Sequence, residues 1–482
     1  MVGRISVLEM YHLIERDPFH VDLSTHPDAL MERENVDCLT AHLLQFGAVE
    51  SLNLAGMNAS GGALDQLISS AEAGGLAHLT YLNLRGTHLS PRHLESLLRV
   101  LKARAPLLRT LDISENGIGD TAMEPLKVYV PAMLQSLNIA SNALSAAAVT
   151  QILQSLADAK PTSLEQLDLS DNHVDLKSSE ALKTLLRTTN CQTTLKELRV
   201  AHCGLDATNS ACLAEGVHSS AIEVLDVSRN DCLLSFTFAV DEGHAAAFPA
   251  SLRVLDLSGN ACNRRFIGGL VESLHGCSGC LEELYLRRTF QGDVALSALL
   301  CGVSSMPALR VLDLAECGLT YRSGKLLAQQ LPMHPKLMVI RLSDNMLDVE
   351  GVMDMASGLE RLSRLTTLEL GSCHLGNCGA VAVVTSLLRS GAPIVQLDIS
   401  DNDINNAGLC EVCALLSRLT CPRLERLIIS RNPCTKGSQA NLIEMLRGRQ
   451  SACQVVAEGT PLEVTSSSSL FEAAHASQVL IE

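Results

Sequence analysis

The chain has 482 residues, of which 47% are apolar, and it carries a formal net charge of −16 with a pI near 5.4. This balance excludes a disordered chain and argues against nucleic acid or an anionic bilayer as main partner, because both require basic surfaces. The longest nearly apolar stretch, 379–388, is about half the ~20 residues a membrane helix needs, so no membrane span is expected.

Residues 1–48 begin with Glu9, Glu15 and Asp17 where an export or organelle signal would be apolar or free of acids, so the chain is expected to be intracellular. Farther along, Leu39, Leu43 and Leu44 recur at helical spacing and predict an amino-terminal helical cap over 1–48. From Val49 to Cys434 an eleven-residue phrase, Leu-x-x-Leu-x-Leu-x-x-Asn-x-Leu with substitutions, recurs fourteen times at intervals of 26 to 31 residues. Clear copies begin at Leu108 (LRTLDISENGI), Leu164 (LEQLDLSDNHV), Leu309 (LRVLDLAECGL) and Ile394 (IVQLDISDNDI). The fourth and sixth residues of a phrase share one side of a short strand, so Leu167 and Leu169 point inward and Asp168 outward. The ninth residue is Asn in most copies, Asn172 and Asn345 among them, suited to satisfying backbone groups where the chain leaves the strand. Cys203, Cys317 and Cys373 take the same slot, and the odd total of seventeen cysteines reads as reduced, structural thiols.

Between phrases the apolar spacing becomes helical, as in Val149, Ile152, Leu153 and Leu156. A period of 20–50 residues means stacked units with a continuous core. The expected fold is therefore α/β: a right-handed solenoid or horseshoe over 49–451, with a parallel inner sheet, outer helices and about fourteen repeats. The repeat after Asn230, with Phe236, Phe238 and Phe248, is expected to bulge. Residues 452–465 form an expected carboxyl-terminal cap, and 466–482 a Ser-rich linker with a short helix.

The phrase and its period resemble the ribonuclease-inhibitor-like class of leucine-rich repeats, which includes the repeat domains of NOD-like receptors and the Ran GTPase-activating protein. The resemblance implies a protein-binding array. Ribonuclease inhibitors have binding faces rich in aromatics, whereas this chain has no Trp and places only Tyr81 and Tyr285 on the strand face.

The strand face is the natural place for a binding site. Positions three, five, seven and eight of the phrases supply fourteen acids and eight basic residues. Candidate protein-binding residues are Asp112, Glu115, Asp168, Asp171, Asp226, Asp256, Tyr285, Arg287, Arg288, Asp313, Arg341, Glu369, Asp398 and Asp401. The segment from Asp112 to Asp171 has acids and no base, and Arg287 with Arg288 forms a positive spot beside Tyr285. The aspartates read either as an attracting field or as a habit that keeps a parallel strand soluble.

No catalytic set is found, and no cofactor or metal is expected. The pairs Cys277/Cys280 and Cys410/Cys413 stand too far apart in the array to share a metal. The segment Gly318 to Lys325 imitates a phosphate loop with wrong spacing and no following hydroxyl. His202-Cys203 and Cys373-His374 place their thiols in the inward slot, away from any substrate. The expected function is a non-enzymatic cytoplasmic scaffold that binds proteins with basic surfaces through a concave acidic face, in a cytoskeletal or axonemal (flagellar) assembly. The alternative is a GTPase-activating protein resembling the Ran activator, with Arg85 as a contact.

Overall fold

The computed structural model describes residues 5–46, 48–58, 61–122, 126, 134–158, 163–188, 191–230, 248–260, 264–302, 306–417, 424–447, 453–460 and 462. The expected linker and helix of 466–482, and the irregular stretch with Phe236 and Phe238, lie outside these residues.

Two compact units divide the chain, Met1–Ser251 and Leu252–Glu482. In the first, β1 (His20–Asp22), β2 (Ser51–Asn53), β3 (Tyr81–Asn83), β4 (Thr110–Asp112), β5 (Ser136–Asn138), β6 (Gln166–Asp168), β7 (Glu197–Arg199) and β8 (Val224–Asp226) pair in chain order, all parallel. In the second, the same holds for β9 (Val254–Asp256), β10 (Glu283–Tyr285), β11 (Val311–Asp313), β12 (Val339–Arg341), β13 (Thr367–Glu369), β14 (Gln396–Asp398), β15 (Arg426–Ile428) and β16 (Gln454–Val456). Each phrase supplies one strand, β2 to β15, and helices alternate with strands as an α/β leucine-rich-repeat solenoid requires. The first segment differs from the expectation of helices alone. It has helices Val7–Arg16 and Arg33–Phe46, but also β1, which pairs Val21 opposite Leu52.

The strands are short because each phrase alternates for only three residues before it turns. Middle residues such as Leu111, Leu167, Leu284 and Leu368 are buried, and most of their flanking neighbours are half-buried. Helical faces close the other side of the core: Val149, Ile152, Leu153 and Leu156 are at most 1% exposed. In the amino-terminal segment Leu39 and Leu43 are buried, but Leu44, expected to join them, is 50% exposed. Consecutive helical residues diverge by about 100°, so the stripe that holds Leu39 and Leu43 turns Leu44 outward.

A buried amide joins each such repeat to the one before it. The Asn172 Nδ2 donates to the carbonyls of Leu169 and of Ile139 one repeat back, both at 3.0 Å, and its Oδ1 accepts from the amides of Asn142 and Leu144. Asn345 and Asn402 act alike in the second unit. Where cysteine takes the slot, its thiol reaches the preceding repeat: Cys203 Sγ lies 3.4 Å from the Leu169 carbonyl and Cys373 Sγ 3.1 Å from that of Leu342. Burial pushes the Cys203 and Cys373 thiols up to about 12, so they stay protonated donors.

Helix starts follow from polar caps. Ser90 accepts from the His93 amide just before Pro91, Asp175 accepts from that of Ser178, and Asn405 from those of Ala407 and Gly408. Adjacent helices Ser323–Gln330 and Asp348–Leu359 meet through glycine: a Cβ on Gly324 would stand 2.1 Å from the Gly351 carbonyl oxygen. Gly324, part of the phosphate-loop look-alike, thus serves helix packing. Gly324→Val is expected to lower the unfolding free energy by about 3 kcal/mol through overpacking. Gly268→Ala, in helix Arg264–Leu274 where an added Cβ meets nothing within 4 Å, is expected to raise it by about 0.5 kcal/mol. Urea unfolding of both variants measures the contrast.

Candidate protein-binding face

The fifth residue of each phrase ends a strand and stands on the face away from the leucine core. In the first unit the register aligns Asn53, Asn83, Asp112, Asn138, Asp168, Arg199 and Asp226, and in the second Asp256, Tyr285, Asp313, Arg341, Glu369 and Asp398. Apart from the exposed Arg199, the row is half-buried rather than freely solvated, and Asp313 is only 6% exposed.

The aspartates of this row have a structural duty that neither sequence reading includes. The Oδ1 atoms of Asp112, Asp168, Asp226, Asp256 and Asp398 accept from the amide two residues on, at 2.8–2.9 Å, and Asp313 does so at 3.0 Å. Asn53, Asn83 and Asn138 make the same bond. The bond closes an Asx turn at the strand exit, so either Asp or Asn serves. The sequence signal was present in the alternation of Asp and Asn at one place.

The eighth residue bends the chain. All fourteen phrases have a positive φ there, from 51° at His202 to 70° at Gly259, although eleven of these residues are not glycine. Glu115, Asp171, Glu316, Asp344 and Asp401 are among them, as is Arg288. The left-handed conformation costs a non-glycine residue ~1–2 kcal/mol. The amide at this position donates to the next repeat, as from Asp171 to the Ala201 carbonyl and from Arg288 to that of Ala315, both at 2.9 Å, which offsets the strain.

Ion pairs lace the face from repeat to repeat. Arg85 meets Glu115 at 2.7 Å and Arg287 meets Glu316 at 2.5 Å with Asp344 at 3.9 Å, while the His202 ring hydrogen-bonds to Asp171 at 2.5 Å. Arg341 sits between Asp313 and Glu369, at 3.9 and 3.3 Å. Within the acidic segment from Asp112 to Asp171, Glu115 is thus matched by Arg85 from the repeat before it. At the positive spot expected from Arg287 and Arg288, Arg287 is matched by two acids, Arg288 forms no ion pair among the described residues, and the Tyr285 hydroxyl donates to Glu283 at 2.7 Å. Asp401 accepts from the Ser372 hydroxyl at 2.9 Å.

Among the described residues, Asp112 and Asp398 hydrogen-bond only to neutral groups: Asp112 to Ser114 and Asn138, Asp398 to Ser400. Asp168 bonds the Ser170 amide with Arg199 near it; burial holds its carboxyl above the usual range, against the pull of that amide and arginine. Burial raises Asp313 and Glu369 in the same way, with Arg341 opposing. In the first unit a groove of about 280 Å³ runs along this face, lined by Tyr81, Asp112, Asn138, Asp168, Glu197 and Arg199. Its groups can hydrogen-bond and attract a cation. No metal-holding group of His, Cys, Asp or Glu is found among the described residues. The Cys-x-x-Cys pairs split, with Cys277 and Cys413 buried, Cys280 exposed and Cys410 half-buried.

A leucine-rich-repeat family model matches residues 105–127, 160–182, 363–384 and 393–413. The chain is 26% identical to the ribonuclease inhibitor of Sus scrofa over 402 residues, 77% of this chain and 85% of that protein. It is 24% identical to the ribonuclease inhibitor of Mus musculus over 384 residues, covering 73% and 83%. With the human NACHT, LRR and PYD domains-containing protein 12 it shares 28% identity over 302 residues, 58% of this chain and 26% of that one.

The Asx turn separates charge from structure. Asp168→Asn keeps the acceptor and is expected to leave stability within about 0.5 kcal/mol of the parent. Asp168→Ala orphans the Ser170 amide and is expected to cost about 1–2 kcal/mol; equal urea midpoints for the two variants would contradict this role.

Proposed function

As the chain is a ribonuclease-inhibitor-like leucine-rich-repeat protein, we propose that it is a non-enzymatic scaffold that binds a protein with a basic surface through the strand face. The observation that carries this reading is the groove of the first unit, where Asp112 and Asp168 remain without a hydrogen-bonded cation. Their Asx bonds occupy one carboxylate oxygen toward the chain and hold the other in place. A lysine or arginine from a partner would find a positioned, partly desolvated acceptor, in which charge-assisted bonds are stronger than at an open surface. Pairs already present within the face limit the field, so the contact is selective for where a base lands rather than a uniform attraction.

The relatives named as ribonuclease inhibitors make inhibition of a ribonuclease the obvious question. Strong interfaces centre on aromatic anchors, and here Tyr285 is tied to Glu283 while the Tyr81 hydroxyl accepts from Asn83. We therefore favour a broad polar contact with another class of basic protein. The proposed setting is a cytoplasmic assembly, cytoskeletal or axonemal by family analogy; none of the described helices is long and apolar enough to cross a membrane. The GTPase-activating alternative would use Arg85, which Glu115 engages at 2.7 Å, so no observation favours it.

The test is to purify the full chain's partner from the native source and measure Kd in low and physiological salt. Affinity is expected to fall about tenfold as salt rises, and again by about tenfold in the Asp112→Asn, Asp168→Asn double variant, whose turns persist. Binding indifferent to both would rule the reading out.

A further inference from the structure

The second unit also carries an exposed apolar surface, away from the strand face. Met346, Val349 and Met353 are 62%, 38% and 53% exposed. Val349 and Met353 lie four residues apart on helix Asp348–Leu359 and so share one side of it, with Met346 just before its first turn. The preceding repeat adds Tyr321, 38% exposed: Thr320 is bridged to Met346, whose amide donates to the Leu319 carbonyl at 2.8 Å. The glycine contact described above brings the two repeats this close, since Gly351 packs on the backbone of Tyr321.

Burial does not require these residues to be apolar. The inward side of the same helix is filled by Val352, Met355 and Leu359, each fully buried. Methionine on a surface is an unbranched, polarisable side chain that adapts to differently shaped partners, and Tyr is a frequent interface anchor. Acids lie beside the apolar ridge. Asp348 and Glu350 are exposed and Asp354 half-exposed, and none of the three forms an ion pair among the described residues. Glu350 and Asp354 also stand four residues apart, giving an acidic ridge next to Val349 and Met353. The preceding repeat carries the bases Arg322, over the Tyr321 ring at 5.7 Å from its centroid, and Lys325.

We propose that Tyr321, Met346, Val349 and Met353 form a docking surface for an amphipathic helix of another protein, with an apolar stripe flanked by lysine or arginine. The stripe would cover the methionines, and the flanking bases would meet Glu350 and Asp354, the arrangement by which methionine-rich acidic surfaces select basic helices. A neutral or acidic helix would leave those carboxylates unmatched, so the charge of the flank decides the partner. This surface is separate from the strand face and holds whether or not that face binds a protein.

The test uses the full-length chain and a fluorescent probe, a peptide of about 16 residues with leucines at i, i+3, i+4 and i+7 and lysines on the flanks. Fluorescence anisotropy is expected to show saturable binding that weakens at least tenfold in the Met346→Glu, Met353→Glu variant and at least tenfold when glutamates replace the peptide's lysines. Both methionines are exposed, so circular dichroism melting of the variant is expected to match the parent. Asp112→Asn with Asp168→Asn is expected to leave peptide affinity unchanged, which separates this surface from the proposed groove. The inference is overturned by absence of saturable binding, by equal affinity of the glutamate peptide, or by a methionine variant that folds and binds as the parent does. It is equally overturned if sedimentation equilibrium shows that the methionine variant abolishes self-association of the chain, because the surface would then be covered by a second copy.

Discussion

The stack depends on one requirement: the backbone leaving each strand turns inside the protein, where its amides and carbonyls have no water to bond. The buried side-chain amide of Asn172 answers it by donating and accepting at once, across its own repeat and the one before. A side chain that only donated would leave the amides of Asn142 and Leu144 unmatched. The ninth residue thereby fixes the distance between successive turns, and with it the spacing of the side chains on the strand face.

Much of this is legible in the sequence because each repeat solves the same problem with the same period. Alternation over three residues marks the strands, the helical spacing of Val149, Ile152, Leu153 and Leu156 marks the outer layer, and Asn at the ninth place marks the turn. β1 is less visible, since His20–Asp22 has no leucine phrase and is recognisable as a strand only by its pairing with β2. Leu44 shows the limit of counting apolar residues: Leu185 and Leu186 are adjacent on a helix and both buried, whereas Leu44, beside the buried Leu43, falls off the edge of its helix's core stripe.

On the candidate face, composition identifies the charges but not their employment. Asp168 looks like a free acid until its bond to the Ser170 amide is seen. Arg85 and Glu115, Asp171 and His202, Arg287 and Glu316 lie 29 to 31 residues apart in the chain, yet touch because the stack brings the seventh or eighth residue of one phrase beside the eighth of the next. These pairs are found one repeat ahead, at the same phrase position or the one after it. The methionine ridge could not be found that way, because its exposure depends on which side of a helix the neighbouring repeats leave uncovered.

Cysteine in the asparagine slot alters the seams. The thiol of Cys203 offers one weak donor in place of two, and only a weak acceptor in place of an amide oxygen; the Val174 amide in the repeat before it bonds instead to the Cys203 carbonyl at 2.9 Å. In the second unit the thiols of Cys317 and Cys373 likewise donate to carbonyls of the preceding repeat, those of Leu286 and Leu342. Seams closed by sulfur are weaker than those closed by amide, so the array is graded along its length. In a stacked array that opens locally, the seams with the fewest side-chain bonds are the first expected to part, and here those are the thiol seams.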